Sequence, residues 1–142
     1  MKTIYIYLIL LFTSFKLSGQ SLENSIWQIN DVFGNNGEYL DEYQLTKVEK
    51  QDERISFVYG NSITFYQTSF SSNYSAPCGN DCFPSSSGNY KIISNNQIET
   101  TQFTFDQSGD CETIHKKMKI KTLYQIVQKS KSNIILKKIN QR

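Results

Sequence analysis

Short runs in which apolar and polar residues alternate dominate the chain, and this period of two predicts half-buried β-strands. The first run, residues 25–32, places Trp27 and Ile29 on one face of a pleat. Further runs of the same kind cover residues 54–60, 62–70, 89–94, 97–105, 122–128 and 133–139.

Turn residues between these runs predict three hairpins. The turns are Gly60-Asn61, Asn95-Asn96 and the polar stretch at residues 129–132. In the strand predicted at 97–105, Ile98 and Thr100 share one face, whereas Phe103 and Phe105 fall on the other. A bulge between the two pairs would turn the aromatic side chains inward.

Three segments fit less regular structure. Residues 37–53 carry apolar side chains at roughly helical spacing, which fits either a helix or a short strand in a long loop. Residues 111–121 fit a short helix through Ile114 and Met118, or a strand if Ile120 shares their face. Residues 69–89, rich in serine and containing both prolines, are predicted to form a long loop tied down by cysteines.

These elements predict an all-β fold, or a mostly β fold with one short helix, built as a single antiparallel barrel of about 7–8 strands. Nine tyrosines, nine phenylalanines and one tryptophan would supply the aromatic interior. A barrel of this size is either filled by side chains or holds one small ligand.

The first residues predict export. Lys2 precedes an apolar run at residues 4–12, and small residues follow up to Gly19. This is the layout of a secretory signal peptide at residues 1–19, followed by one domain at residues 20–142. The apolar run is too short for a membrane span, which needs about 20 residues. We therefore expect a periplasmic or secreted protein without an integral membrane span.

Charge is unevenly distributed. Residues 20–112 contain all 13 acidic residues and four basic ones, whereas residues 116–142 contain nine basic residues and no acidic one. Such asymmetry is one mark of a nucleic-acid or anionic surface site. We expect instead that the basic strands pack beside acidic ones, and we expect no nucleic-acid partner, because no aromatic residue is spaced through the lysines.

The chain resembles two groups of small exported β domains. It is similar to the lipocalin-like (calycin) proteins in Trp27 within LENSIW, in the strand GNYKI at 88–92, and in the closing hairpin YQIVQKSKSNIIL. It also resembles the META-domain envelope proteins in LENSIWQINDVFG, in Cys82 shortly before Gly88-Asn89-Tyr90, and in the later Cys111. Both resemblances imply an exported antiparallel β fold that binds or stabilises rather than catalyses.

Three cysteines in an oxidising compartment predict one disulfide and one spare thiol. We expect Cys111 to pair with Cys82 or with Cys78; a bridge between Cys82 and Cys111 would close a loop of about 30 residues. The alternative is a structural zinc site of Cys78, Cys82, Cys111 and His115, in which two matched pairs supply four ligands.

Catalysis has little support. Cys111 and His115 are residue types that can act as a nucleophile and a general base, but no motif predicts that the two side chains are in contact. Adjacent carboxylates such as Asp41-Glu42 would point to opposite faces of a strand. We therefore expect no enzyme and no cofactor.

The first functional hypothesis is a barrel that binds a small apolar or amphipathic ligand, with the Cys78–Cys82 loop as a lid. The residues expected to line its mouth are Trp27, Phe57, Tyr59, Phe65, Tyr90 and Phe103. The second hypothesis is a non-catalytic envelope protein with a filled core that acts through its surface or sheet edges, and the third is the zinc-structured domain.

Overall fold

Eight antiparallel strands form a closed barrel in the computed structural model, which describes residues 22–49 and 58–139 except the side chains of 128 and 129. The strands are β1 Ser25–Ile29, β2 Glu42–Lys47, β3 Gly60–Phe65, β4 Ser69–Ser75, β5 Cys82–Ser94, β6 Gln97–Gly109, β7 Ile114–Lys129 and β8 Asn133–Lys138. A short 3-10 helix at Asn35–Gly37 lies between β1 and β2. The prediction of one all-β antiparallel barrel is confirmed. The predicted signal peptide lies outside the described residues.

The strand order around the barrel departs from a simple meander at one place. Strands β3 to β8 are neighbours in chain order, but β1 lies between β2 and β3, and β2 closes the barrel against β8. The end of β2 and the start of β3 therefore lie at opposite ends of the barrel. We call the end that carries the β1–β2 connection the plug end, and the other the open end.

Alternation along the strands separates the core from the surface. Trp27 and Ile29 on β1 point inward with Tyr43 and Leu45 on β2, and all four are buried. The period-two pattern read from the sequence is therefore the pattern of burial, as expected for strands with one face on a shared core.

The bulge predicted in β6 is present. Between β5 and β6, Ser87 pairs with Thr104 and Gly88 with Gln102, which leaves Phe103 as the extra residue. Beyond the bulge Phe105 is fully buried, but Phe103 itself remains 38% exposed. The bulge thus turns only the second aromatic inward.

The long loop predicted at residues 69–89 is wrong. The segment forms β4 and the first half of β5, and only residues 76–81 connect them. The inward positions carry Phe70 and Ser72 on β4 and the small residues Ser86 and Gly88 on β5. The segment buries few large side chains, but its backbone amide and carbonyl groups are paired with those of neighbouring strands.

Two other segments resolve in favour of strand. Residues 37–53 contain β2, and residues 111–121 contain the start of β7 rather than a helix, because His115 pairs with Asp106 on β6.

The turn predicted at Gly60-Asn61 is also wrong. Both residues belong to β3, and the chain reverses at 66–68, where the Tyr66 amide donates to the Ser69 carbonyl. That turn contains neither glycine nor proline. The two later hairpins are confirmed as β5–β6 and β7–β8.

Gly88 is a position on β5 where the fold tolerates no side chain. A Cβ there would lie 2.2 Å from the Thr101 carbonyl oxygen and 2.9 Å from the Phe70 ring. We expect Gly88→Ala to lower the free energy of unfolding by about 2–3 kcal/mol, since a packed core must shift to admit it. Urea denaturation measures this. Gly79→Ala, where an added Cβ meets nothing within 4 Å, is the control and should be close to neutral. Equal stability of the two variants would contradict the packing at Gly88.

Candidate functional site

Three of the aromatic residues predicted to line a pocket lie in the barrel interior. Trp27 and Phe65 are almost fully buried, and Tyr90 is 7% exposed. The rings of Phe65 and Tyr90 meet edge to face at 5.0 Å, and the indole nitrogen of Trp27 donates to the Ser25 hydroxyl at 2.7 Å. These residues belong to one hydrophobic core, in which each aromatic is packed against others.

The remaining three are not part of that core. Tyr59 is 56% exposed ahead of β3, and Phe103 is the partly exposed bulge residue on β6. Phe57 lies outside the described residues. The structure therefore brings together Trp27, Phe65 and Tyr90 and leaves Tyr59 and Phe103 on the surface.

Phe33, which the sequence reasoning did not single out, fills the interior at the plug end. It lies in the β1–β2 connection and is 1% exposed. Its ring centroid is 4.7 Å from that of Tyr43, 5.3 Å from Phe70 and 5.5 Å from Tyr124. The connection therefore inserts one aromatic side chain among rings from three strands, where a ligand of a hollow barrel would lie.

Interior polar side chains hold the backbone around Phe33. The Phe33 amide donates to the Ser72 hydroxyl at 3.0 Å, and the Ser86 hydroxyl donates to the Phe33 carbonyl. The Gly34 amide donates to the Tyr43 hydroxyl at 3.1 Å, and the Gln102 side-chain amide donates to the Gly34 carbonyl at 2.8 Å. Buried backbone groups require such partners. We call residues 31–37 with these contacts the plug.

The local sequence explains the shape of the plug. Gly34 and Gly37 adopt positive φ values of 67° and 85°, and Asn36 adopts 52°, in the left-handed region that glycine and asparagine tolerate best. A Cβ on Gly34 would lie 2.4 Å from the Gln102 side-chain oxygen. The turn NDVFGNNG thus reverses the chain tightly enough to send Phe33 inward.

A signal for the plug was present in the sequence. Val32 and Phe33 form an apolar pair enclosed by polar and glycine residues, and Val32 is fully buried as well. Serines at inward positions were the second signal. Ser72 and Ser86 leave room beside Phe33 that larger side chains would occupy, and their hydroxyls reach its backbone.

Tyrosine hydroxyls surround the plug. Burial raises the pKa of Tyr39, Tyr43 and Tyr124, and the neighbouring Tyr43 adds to the rise at the other two. The Tyr43 hydroxyl is the best satisfied, because it accepts from both the Gly34 and the Leu40 amides. The Tyr39 hydroxyl lies near that of Thr122 but makes no hydrogen bond of standard geometry. All three tyrosines are therefore neutral near neutral pH.

A shallow depression lies at the open end. It has a volume of about 390 Å³ and is lined by Asn24, Tyr66, Gln67, Thr68 and Ser69. Tyr90 closes it from the interior by donating its hydroxyl to the Tyr66 carbonyl at 2.7 Å. The lining is mainly polar, and the depression does not share residues with the plug.

The cysteines form a disulfide between Cys82 and Cys111, and Cys78 is free and exposed. The bridge joins the first residue of β5 to the second residue after the end of β6, at the plug end of the barrel. Beside it the Asp110 amide donates to the Asp81 carbonyl at 3.0 Å. The disulfide thus fastens the protruding ends of β5 and β6, and the Cys78–Cys82 loop, proposed as a lid, lies at the end that Phe33 fills.

The proposed zinc ligands are used otherwise. Two of the four sulfur and nitrogen ligands, Cys82 and Cys111, are oxidised to the disulfide, and His115 contacts the Asp106 carboxylate on β6. Within residues 22–49 and 58–139, no three histidine, cysteine, aspartate or glutamate side chains are grouped so that they could hold a metal ion.

Comparison of the chain with models of protein families, with curated proteins and with solved structures found no match. The resemblances to lipocalin-like and META-domain proteins therefore remain predictions, and the architecture supports only the coarser statement of an eight-stranded antiparallel barrel. In the part of the chain that the structure describes, no helix has the length and apolar character needed to cross a membrane.

The buried tyrosines predict alkaline sensitivity. Burial raises their folded-state pKa above the value of about 10 that they have in an unfolded chain. The raised pKa values therefore stabilise the folded state fully below pH 10. This stabilisation is lost as the pH rises further, because the unfolded state releases protons that the folded state retains. We expect the urea midpoint to be level from pH 7 to 9 and to fall above pH 10. Tyrosinate absorbance that reached its full value at pH 10–11 while the native circular dichroism persisted would contradict this.

Proposed function

We propose that this is an exported, non-catalytic interaction protein in which a filled barrel serves as a rigid scaffold and the outer surface binds the partner. The observation that carries the proposal is Phe33, because its ring and its hydrogen-bonded backbone occupy the interior of the plug end. A filled barrel acts through its surface, because its inward side chains pack against one another and are not available to a ligand.

The contacts of the interior aromatics favour this role over binding of a small apolar ligand. Such a ligand requires a concave site with mostly apolar lining. Trp27, Phe65 and Tyr90 have their faces and edges against neighbouring side chains of the core. The depression near Tyr66 offers mainly polar groups instead. Neither region presents the lining that an apolar ligand needs.

Export is supported by the disulfide and by the composition of residues 1–19. A structural disulfide such as Cys82–Cys111 persists in oxidising compartments. The charged start and short apolar run of the chain have the layout of a secretory leader.

The arrangement of the reactive side chains favours a role without catalysis. His115, the one histidine, contacts Asp106 on an exposed face, and Cys111, which the sequence offered as its nucleophile, is in the disulfide. The polar groups of the interior are used to hold the plug. A catalytic group would have to be free to meet a substrate.

Opening the interior tests the proposal. Phe33→Ala should lower the free energy of unfolding by about 3–5 kcal/mol and leave an apolar space. Benzene, which enters dry engineered cavities, should then raise the melting temperature of the variant and leave that of the wild-type protein unchanged. Phe33→Leu, which removes less volume, keeps the test usable if the alanine variant does not fold.

Phe103→Ala is the matched control, because it removes the same ring from a partly exposed position and should give no response to benzene. A wild-type melting temperature that rises with benzene or with a long-chain fatty acid would overturn the filled-barrel proposal in favour of a ligand-binding barrel.

A further inference from the structure

Strand β7 has an open edge at the plug end. It pairs with β6 from Ile114 to Gln125, but its pairing with β8 begins only at Tyr124. The last backbone contact on that side is the Ile139 amide, which donates to the Leu123 carbonyl at 2.8 Å. Within the described residues, Ile114 to Thr122 therefore have a strand partner on one side only. We call this stretch the β7 edge.

Backbone groups of the β7 edge face away from β6. Successive residues of a strand direct their amide and carbonyl groups to opposite sides. Because the Leu123 carbonyl is used on the β8 side, the backbone groups of Lys121, two residues earlier, face the same open side. An edge of this kind can accept another strand by main-chain hydrogen bonding.

The outward side chains of the edge are basic. Lys117, Lys119 and Lys121 are all exposed, and Lys121 shares Glu99 with Lys91 at 3.2 Å and 3.1 Å. Among the residues that the structure describes, Lys117 and Lys119 have no acidic side chain within ion-pair distance. The basic C-terminal part of the sequence is therefore only partly neutralised by neighbouring strands.

The inward side chains at the middle of the edge are apolar, whereas Lys116, nearer the start of β7, also lies on the inward face and donates to the Asn36 side chain of the plug at 2.7 Å. Met118 and Ile120 are half-buried and lie against Gly37 of the plug, where an added Cβ would come within 3.2 Å of Ile120. A strand added to the edge would meet lysines on one face and these side chains on the other. Cross-strand neighbours on the same face interact directly, so the edge favours a strand with alternating acidic and apolar residues.

Lysines on an exposed edge also discourage pairing between two copies of one chain, because like charges would lie opposite each other. The same charges attract an acidic strand. The lysines therefore disfavour pairing of this edge with the same edge of a second copy and favour pairing with an acidic strand.

We propose that the β7 edge binds an extended acidic segment of a partner protein as an added β-strand. The acidic side chains of the segment lie beside Lys117 and Lys119, and its apolar side chains lie beside Met118 and Ile120. This inference rests on the proposed function, because it names the surface through which a filled barrel would act.

A synthetic peptide of alternating glutamate and valine is the probe, and fluorescence anisotropy on the full-length mature protein gives its affinity. The alternating peptide should bind at least about tenfold more tightly than a peptide with the same residues in two blocks, a difference of 1.4 kcal/mol. Amide shifts in the nuclear magnetic resonance spectrum should be confined to β7 and to the adjacent plug.

Lys117→Gln combined with Lys119→Gln should weaken peptide binding about tenfold, because both cross-strand charge pairs with the peptide are lost. The matched control is Gln28→Glu combined with Gln44→Glu, which changes the net charge by the same amount at exposed positions of β1 and β2. The control should keep wild-type affinity.

Methylation of alternate peptide amides separates strand addition from charge attraction. If a strand is added, methyl groups on the amides that face the edge should abolish binding, and methyl groups on the other amides should be tolerated. Equal binding of both methylated peptides, or of the block and alternating peptides, would overturn the proposal.

Lysine-dependent binding to phosphatidylglycerol vesicles without binding of the peptide would also overturn the proposal of strand addition. It would show that Lys117 and Lys119 contact an anionic membrane instead. Failure of the peptide to bind would count against the β7 edge and not against the filled interior. A rise in the melting temperature of the wild-type protein with benzene or a fatty acid would count against the proposed function alone.

Discussion

The fold depends on the burial of one stretch of backbone, at Phe33 and Gly34, inside the end of the barrel. A peptide group removed from water loses stability unless its amide and carbonyl find partners. Ser72, Ser86, Tyr43 and Gln102 supply those partners from four different strands. The arrangement is not fully satisfied, because the remaining oxygen of Gln102 has no hydrogen-bond partner.

Small residues on β4 and β5 make this burial sterically feasible. Ser72 and Ser86 are buried and occupy inward positions that a fully apolar barrel would give to larger side chains. Gly88 lets the Phe70 ring and the β6 backbone approach closely. The two inward serines of this segment therefore occupy positions where small side chains leave the space that Phe33 requires.

Much of the architecture could be predicted from the sequence, because the alternation that places Trp27 and Ile29 together follows from one buried face, whereas residues 37–53, which hold Tyr43 and Leu45, fit a helix as well as a strand. The pairing of Cys82 with Cys111 was among the predicted alternatives. The segment at 69–89 was misjudged because a small polar residue facing inward looks the same in sequence as one facing solvent. The plug was missed for a related reason: Phe33 lies between turn residues, and its burial depends on groups from distant strands.

The position of the site residues was harder to predict than the strands. Phe103 is aromatic and shares the parity of Phe105, yet the bulge that buries Phe105 leaves Phe103 on the surface. The open edge of β7 follows from the unequal lengths of β7 and β8, which the hairpin pattern does not reveal because residues 111–121 fit a helix as well as a strand.

The insertion of β1 between β2 and β3 also sets where the described chain enters and leaves the barrel. An even-stranded meander returns to the rim where it started. Here β2 ends at the open end and β3 begins at the plug end, so residue 22 lies at the open end and residue 139 at the plug end. A molecule tethered through its amino-terminal side would consequently present the plug end, with the lysine row of β7, to the medium.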